Sequence, residues 1–448
     1  MPPHSSDSLL VLLLAVLFLG LLVELAHFGD HPIPLKNSRR GPRLLRPRTP
    51  DDCALCRTAA AAPAPTAAQA PIPYAQLKSS RGRKQSINTA GYSCLNADCR
   101  YFNIIDPTIH ALVGYGHHGR CNPIQDFYCQ ACRRKFSAWR HTPFYRLKTA
   151  PDRVAQVLHA VAEGLSLHAA ARVFNLSETT VRSWISRAGQ HSRSLHDRFL
   201  RTLELTHVQL DELRLKLHGA TEAAWLWIAC DAGTKLIPAF MLGPRTQALA
   251  HQLVHELKQR LAPGCLPVFS SDGLALYFYA LTAHFGWWAR SISQRRRCWT
   301  VEARLLYAQV IKRYWRRRLA EVRQHVCLGS ADEYHQVLRA QGLSGRIQTA
   351  FVERLNLTLR RSIAGLARRS WSAAHSLSEL NLHFDWWRAY YHYARPHASL
   401  RQPLGDNLAR RTRQRFRPRT PAQAAGLTNH RWTVQELLAC PAPPLKVG

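Results

Sequence analysis

The sequence predicts a multidomain α/β protein: a small cysteine-rich β module, a helical unit, and a larger domain built on a mixed sheet. Three observations carry that expectation. Cys94 and Cys99, then Cys129 and Cys132, stand as two close pairs among aromatic residues. Apolar residues recur at helical spacing between positions 150 and 192. From about 203 to 285, β-rich runs alternate with helical ones. A chain of 448 residues, 46% of them apolar, has room for several domains and a sizeable core.

Residues 1–30 form an apolar N-terminal segment in which Leu9 to Val23 is unbroken. It is short for a membrane span, and no basic stretch precedes it as a signal peptide requires. Arg39, Arg40, Arg43, Arg46 and Arg48 follow it, which favours a cytoplasmic C-terminal side if it inserts. A membrane anchor and a misassigned start both stay open, and the rest of the chain reads as cytoplasmic. Residues 31–90, rich in Pro, Ala and Arg, read as a disordered linker.

Residues 91–142 read as a zinc ribbon. Cys94, Cys99, Cys129 and Cys132 supply four thiolates in two pairs, and one Zn²⁺ takes four such ligands tetrahedrally. Phe127, Tyr128, Lys135 and Phe136 flank the second pair as short hairpins do. Paired cysteines of this kind suit metal in a reducing compartment better than a disulfide scaffold. Cys53 and Cys56 form a rival pair at the edge of the linker, with no second pair beside it.

Residues 150–192 read as a helix-turn-helix. Val154, Val157, Leu158 and Val161 make one apolar stripe, and Leu167, Ala170, Ala171 and Phe174 a second. Asn175 and Leu176 make the turn, and Ser177 caps a third helix. There Val181, Trp184 and Ile185 face inward, leaving Thr180, Arg182, Ser183 and Arg187 outward to reach base edges and phosphates. The charge balance agrees: 61 Lys plus Arg against 28 Asp plus Glu, a net +33, calls for a polyanion, most often nucleic acid. A membrane surface or a compositional bias toward Arg, Ala and Pro are the rival explanations.

On so basic a chain the carboxylates are informative. Val208 and Leu210 alternate with polar positions as a half-buried strand does, which puts Asp211 on the opposite face from Leu210, with Glu212 turned away from it. The apolar run Leu266 to Phe269 ends at Ser-Ser-Asp272-Gly, a strand end rather than a core position. Between them, Trp225 to Ala229 and Leu236 to Met241 read as a hairpin with Asp231 in its turn. Further on, Glu353, Asn356 and Arg360 share one helix face. A strongly basic helical stretch separates Asp272 from Glu353, and residues 401–448 read as a basic tail.

Strand-Asp, hairpin, strand-end-Asp and then a helix bearing Glu resembles the ribonuclease-H-like core of DDE transposases. QLDEL, LWIACDAGTKLIPAFMLGPRT, SSDG and VERLNLTLRRSIAGLARRS are similar to the insertion-sequence-one family, and DWWRAYYHYARPHASL to the closing segment of such domains. The cysteine module and helix-turn-helix resemble the DNA-binding front half of the same proteins. The similarity runs over roughly residues 91–400; the apolar N-terminus, the linker and a basic insert at 290–345 depart from it.

The resemblance implies a ribonuclease-H-like mixed-sheet catalytic domain over 203–400 that cuts and rejoins DNA. Asp211, Asp272 and Glu353 would jointly hold two Mg²⁺, a hard cation that takes carboxylate oxygens. Asn356 and Arg360 are candidates for gripping phosphates near the cut, and Arg316, Arg317 and Arg318 in the insert for holding backbone without regard to sequence. The partners implied are double-stranded DNA, both element ends and target, and further copies of the chain in a homodimer or higher oligomer. A DNA-binding regulator with a non-functional catalytic domain, and a nuclease of the same fold, are the alternatives.

Overall fold

A computed structural model describes residues 72–77, 89, 91–119, 123–219, 223–290, 297–316, 318–342, 346–367, 374, 376–404 and 415–442. The apolar run at 9–23, Cys53, Cys56 and Arg317 lie outside these residues. Among the described residues no helix is long and apolar enough to cross a membrane.

A four-residue helix, α1 (Tyr74–Leu77), precedes a three-stranded antiparallel sheet of β1 (Leu112–His118), β2 (Ile124–Cys129) and β3 (Lys135–Ser137). The described part of the expected linker is not free chain. Tyr74 N–H donates to the Ile109 carbonyl at 2.9 Å, the Tyr101 hydroxyl donates to the Ile72 carbonyl at 3.0 Å, and the rings of Tyr74 and Tyr101 meet edge to face. Apolar residues in a Pro-rich stretch found a surface to cover, which composition alone does not reveal.

Three helices follow: α2 (Pro151–Ala162), α3 (Leu167–Val173) and α4 (Glu178–Phe199). Asn175 takes a positive φ of 51° in the turn, and the Ser177 side chain accepts from Thr180 N–H as the N-cap of α4. Val154, Val157, Leu158, Val161, Val181, Trp184 and Ile185 are all buried, so the inward stripes are as the periodicity predicts.

The larger sheet has six strands: β4 (His207–Leu215), β5 (Ala224–Asp231), β6 (Ala239–Gly243), β7 (Val268–Asp272), β10 (Tyr307–Trp315) and β11 (Arg318–Leu328). Their order is β11-β10-β7-β4-β5-β6, with β4–β7 and β7–β10 parallel and the remaining pairs antiparallel. Helices α5 (Gln247–Arg260) and α6 (Ala275–His284) join β6 to β7 and follow it. They cover one face, where Val208, Leu210, Trp227 and Ala229 point. A small hairpin of β8 (Gly286–Arg290) and β9 (Arg297–Val301) comes next in the chain. Along the chain after β11 come α7 (Ala331–Ala340), α8 (Ala350–Ser362) and α9 (Leu377–Ala389). The other face carries Leu213, Leu226, Ile228 and Cys230, packed against α8, α9 and the three-helix unit. Gly189 on α4 lies so close to α9 that a Cβ there would come within 2.2 Å of the Leu382 carbonyl oxygen.

Two expectations are corrected here. The stretch read as a basic helical insert is largely sheet: Tyr307 to Val310 pair with Phe269 to Asp272 and are buried, so β10 is an internal strand of the domain. Described residues of the stretch read as a basic tail also fold: Leu437 and Leu438 on a short helix (Val434–Ala439) are fully buried in the same core as α2 and α9. Capping boxes at Thr420/Gln423 and Thr433/Glu436 fix the helix starts there.

Candidate functional site

Two clusters of ligand-type side chains stand out among the described residues. In the first, the sulfurs of Cys94, Cys99, Cys129 and Cys132 all lie within 4.8 Å of one another. Cys94 Sγ is 3.6 Å from Cys132 Sγ, and Cys99 Sγ is 3.9 Å from Cys129 Sγ. A tetrahedral ion with metal–sulfur distances of about 2.3 Å separates its sulfurs by roughly 3.8 Å, so the four are spaced to hold one. The second pair is presented by a tight turn: Arg133, at φ 58°, donates its N–H to the Cys129 carbonyl at 2.8 Å. Crowding shares protons unevenly: hydrogen bonding with Cys94 pulls the Cys129 thiol down to about 5, while Cys94 is pushed up.

The second cluster is acidic. Leu210 pairs with Ser271 across the parallel strands β4 and β7, so the next residues, Asp211 and Asp272, fall side by side: Asp272 ends β7, while Asp211 lies midway along β4, opposite Ile228 of β5. Carboxylate oxygens of Asp211, Glu212 and Asp272 lie within 4.8 Å of one another. Glu212 was expected to point away from Asp211, and the strand alternation does give it other partners. Tyr277 donates to its Oε2 at 3.0 Å and Arg245 pairs with its Oε1. Its carboxylate nevertheless reaches the same acidic centre, beside Asp272, where β7 ends.

Glu353, in the first turn of α8, stands at the edge of this centre. Its Oε1 accepts from Thr349 Oγ1 at 2.6 Å and pairs with Lys312 Nζ at 2.5 Å. Three residues on, Asn356 is buried and donates from Nδ2 to Asp211 Oδ2 at 2.7 Å. The site therefore draws β4, β7, β10 and α8 together. Burial, reinforced by Asp272 and Glu212, raises the Asp211 carboxyl to about 7. Burial also raises Asp272 and Glu212. Lys312 and Arg245 counter the repulsion on Asp272, and Arg245 is braced over the Trp225 ring at 4.9 Å.

The residues expected to face DNA fare unevenly. Asn356 serves Asp211, and Arg360 donates to the carbonyls of Leu366 and Arg214, both at 3.2 Å, so both are turned to protein rather than to a phosphate. On α4, Arg182 is clamped between Glu178 at 2.7 Å and Glu379 of α9 at 2.5 Å. Arg187 donates to the Tyr145 carbonyl at 2.9 Å, and the Thr180 hydroxyl bonds Ser177 at 2.8 Å. Ser183 is exposed. The inward stripe was legible from spacing, but nothing in the sequence announced that α9 covers part of the outward face. Arg316 and Arg318 are exposed at the tip of the β10–β11 hairpin, where Arg316 has φ 46°. Lys312, Arg245 and Tyr277, which surround the acidic centre, were missed; their one available signal was nearness to Asp272 and Asp211 in a strand-based fold.

A family model described as an integrase core domain matches residues 345–403, which span α8 with Glu353 and Asn356 and continue through α9. A model described as a homeodomain-like domain matches residues 149–192, the three-helix unit. Comparison with curated proteins gives no match. Together the two family matches support a transposase- or integrase-type protein, imply DNA binding, and point to the polynucleotidyl transferases.

Proposed function

We propose that this chain is a DDE transposase of the insertion-sequence-one type, which binds the terminal repeats of a mobile element, cuts at their ends and joins them to target DNA. The observation that carries the reading is the placing of Asp211, midway along β4, beside Asp272, the last residue of the neighbouring parallel strand β7, with Glu353 on the helix that covers them. Hard divalent cations take carboxylate oxygens, and the crowded, partly buried acids suit Mg²⁺. Asp211, Asp272 and Glu353 would hold two such ions, with Glu212 close enough to contribute. When bound, magnesium supplies Lewis acidity to the attacking water or 3′-hydroxyl and to the leaving oxygen of an in-line displacement.

The chain's own groups do the rest. Asn356 fixes the Asp211 carboxylate through its 2.7 Å hydrogen bond. Lys312 and Arg245 lower the negative field that would repel a phosphodiester. Cys94, Cys99, Cys129 and Cys132 would hold one structural Zn²⁺, and the homeodomain-like unit would grip the repeat, several copies of the chain acting together on the paired ends.

A strand-transfer assay tests this: purified protein, labelled element ends, a target plasmid, and Mg²⁺ or EDTA. The expected result is Mg²⁺-dependent cutting followed by joined product. Cutting without joining indicates a nuclease, and end binding without cutting indicates a regulator; either overturns the reading.

A further inference from the structure

The β10–β11 hairpin changes character along its length. Tyr307 to Val310 are buried within the sheet, but β7 ends at Asp272, opposite Val310. Beyond that point β10 and β11 pair only with each other, as far as Trp315 opposite Arg318, and nearly every side chain is exposed. The projecting ribbon carries large apolar groups in solvent: Tyr314 is 64% exposed, Trp315 70%, Leu319 53% and Val322 49%. Consecutive strand positions face opposite ways, so Tyr314 and Trp315 put one ring on each face near the tip.

Residues 311–324 hold Lys312, Arg313, Arg316, Arg317, Arg318 and Arg323 against the single acid Glu321, which Arg313 and Arg323 already share at 3.5 and 3.0 Å. A second copy of so basic a ribbon would be repelled. A polyanion with flat apolar faces of its own is attracted, and DNA bases opened out of the stack are such faces.

We infer that this ribbon is a DNA arm in which Trp315 and Tyr314 stack on bases opened out of the helix beside the cut while Arg316 and Arg318 hold the adjoining phosphates. The inference rests on the DNA-processing reading above and adds to it a second, aromatic mode of contact. The arm leaves the sheet beside Asp272, and Lys312 at its root pairs with Glu353, so its base is at the acidic centre. Five strand steps from Val310 to Trp315 span roughly 17 Å, about the length of five base pairs. The stacked bases therefore lie about that far from the scissile phosphate.

The experiment measures binding of the full-length protein to a fluorescent duplex carrying the element end over a series of salt concentrations. The same duplex is made with 2-aminopurine at successive positions from the cut. Stacking contacts and phosphate contacts separate by their salt dependence. Trp315→Ala should weaken binding roughly tenfold at every salt concentration, with an unchanged slope, and abolish the 2-aminopurine response near the fifth position. Trp315→Phe should restore both. Arg316→Ala with Arg318→Ala should instead flatten the slope by about one unit per residue.

If wild-type protein binds no DNA, the functional reading itself fails. If wild type binds and Trp315→Ala matches it in affinity and 2-aminopurine signal, only the arm is overturned. Light scattering without DNA supplies the remaining check: loss of an oligomer on Trp315→Ala would assign the ribbon to a second copy of the chain and overturn the inference.

Discussion

The thiol cluster and the acidic cluster are both close groups of metal-ligand side chains, yet they are built in opposite ways. Cys94, Cys99, Cys129 and Cys132 come from two short turns, three of the four are buried, and the sulfurs all lie within 4.8 Å of one another. Asp211, Asp272 and Glu353 come from two strands and a helix far apart in the chain, and the third is held off by Lys312. The thiol site is made of cysteines alone; the acidic site is crowded with carboxylates and braced by the cations Lys312 and Arg245. The first arrangement suits an ion that holds a fold together, the second an ion that must exchange ligands during a reaction.

The largest consequence is for stability. A structural zinc contributes about 10 kcal/mol or more to folding of a small module. Cys129→Ser with Cys132→Ser should therefore release about one zinc per chain and leave residues 91–142 open to protease, while the three-helix unit and the six-stranded-sheet domain stay resistant. Metal analysis and limited proteolysis check this; zinc retained by the double variant would remove the contrast.

The acidic cluster should behave in the opposite sense, gaining stability when its charge is removed. Asp211 is raised to about 7, so the native state holds this proton more tightly than the unfolded chain does. Metal-free protein therefore loses stability as pH rises from about 4 through 7. Asp211→Asn should raise the metal-free melting temperature at pH 8, by at most roughly 4 kcal/mol of stability, with no gain at pH 4. Added Mg²⁺ should narrow the difference, since wild type binds it better. A variant less stable than wild type at pH 8 without metal would show that repulsion is not what the site stores.

A smaller effect sharpens the role of the cations. The Lys312–Glu353 pair is partly exposed, so it contributes about 1 kcal/mol or less. Lys312→Ala should leave the acids less compensated and enlarge the Mg²⁺-induced shift in melting temperature. An equal or reduced shift would mean that Lys312 does not stand against the metal-binding charge.

The same contrast explains what could be read from sequence. Cysteine pairs are local, so Cys94, Cys99, Cys129 and Cys132 were visible from spacing alone. Asp211 and Asp272 were visible because each follows an alternating or apolar strand run. Glu353 needed the resemblance to a known family, since a lone Glu on a basic helix is otherwise an ion-pair partner. The strands β10 and β11 were misread because only Tyr307 to Val310 bury a face; past that point the ribbon has no dry side, so no period of two appears in its hydrophobicity. Leu437 and Leu438 were passed over amid Arg and Pro, although Thr433 and Glu436 spell a helix start. The inward turn of Asn356 and the covering of Arg182 by Glu379 depend on which helix packs where, and that is a tertiary fact.

In the proposed function the acidic centre performs the DNA chemistry while other surfaces grip the DNA. Single-turnover cleavage of an end-bearing duplex by Asp211→Ala, Asp272→Ala and Glu353→Ala, measured beside the affinity of each variant for the same duplex, tests it most directly. Each variant should lose cleavage by about three orders of magnitude or more while binding within a few-fold of wild type. A variant that still cuts at a substantial rate, or one that loses cutting only in step with binding, would contradict it.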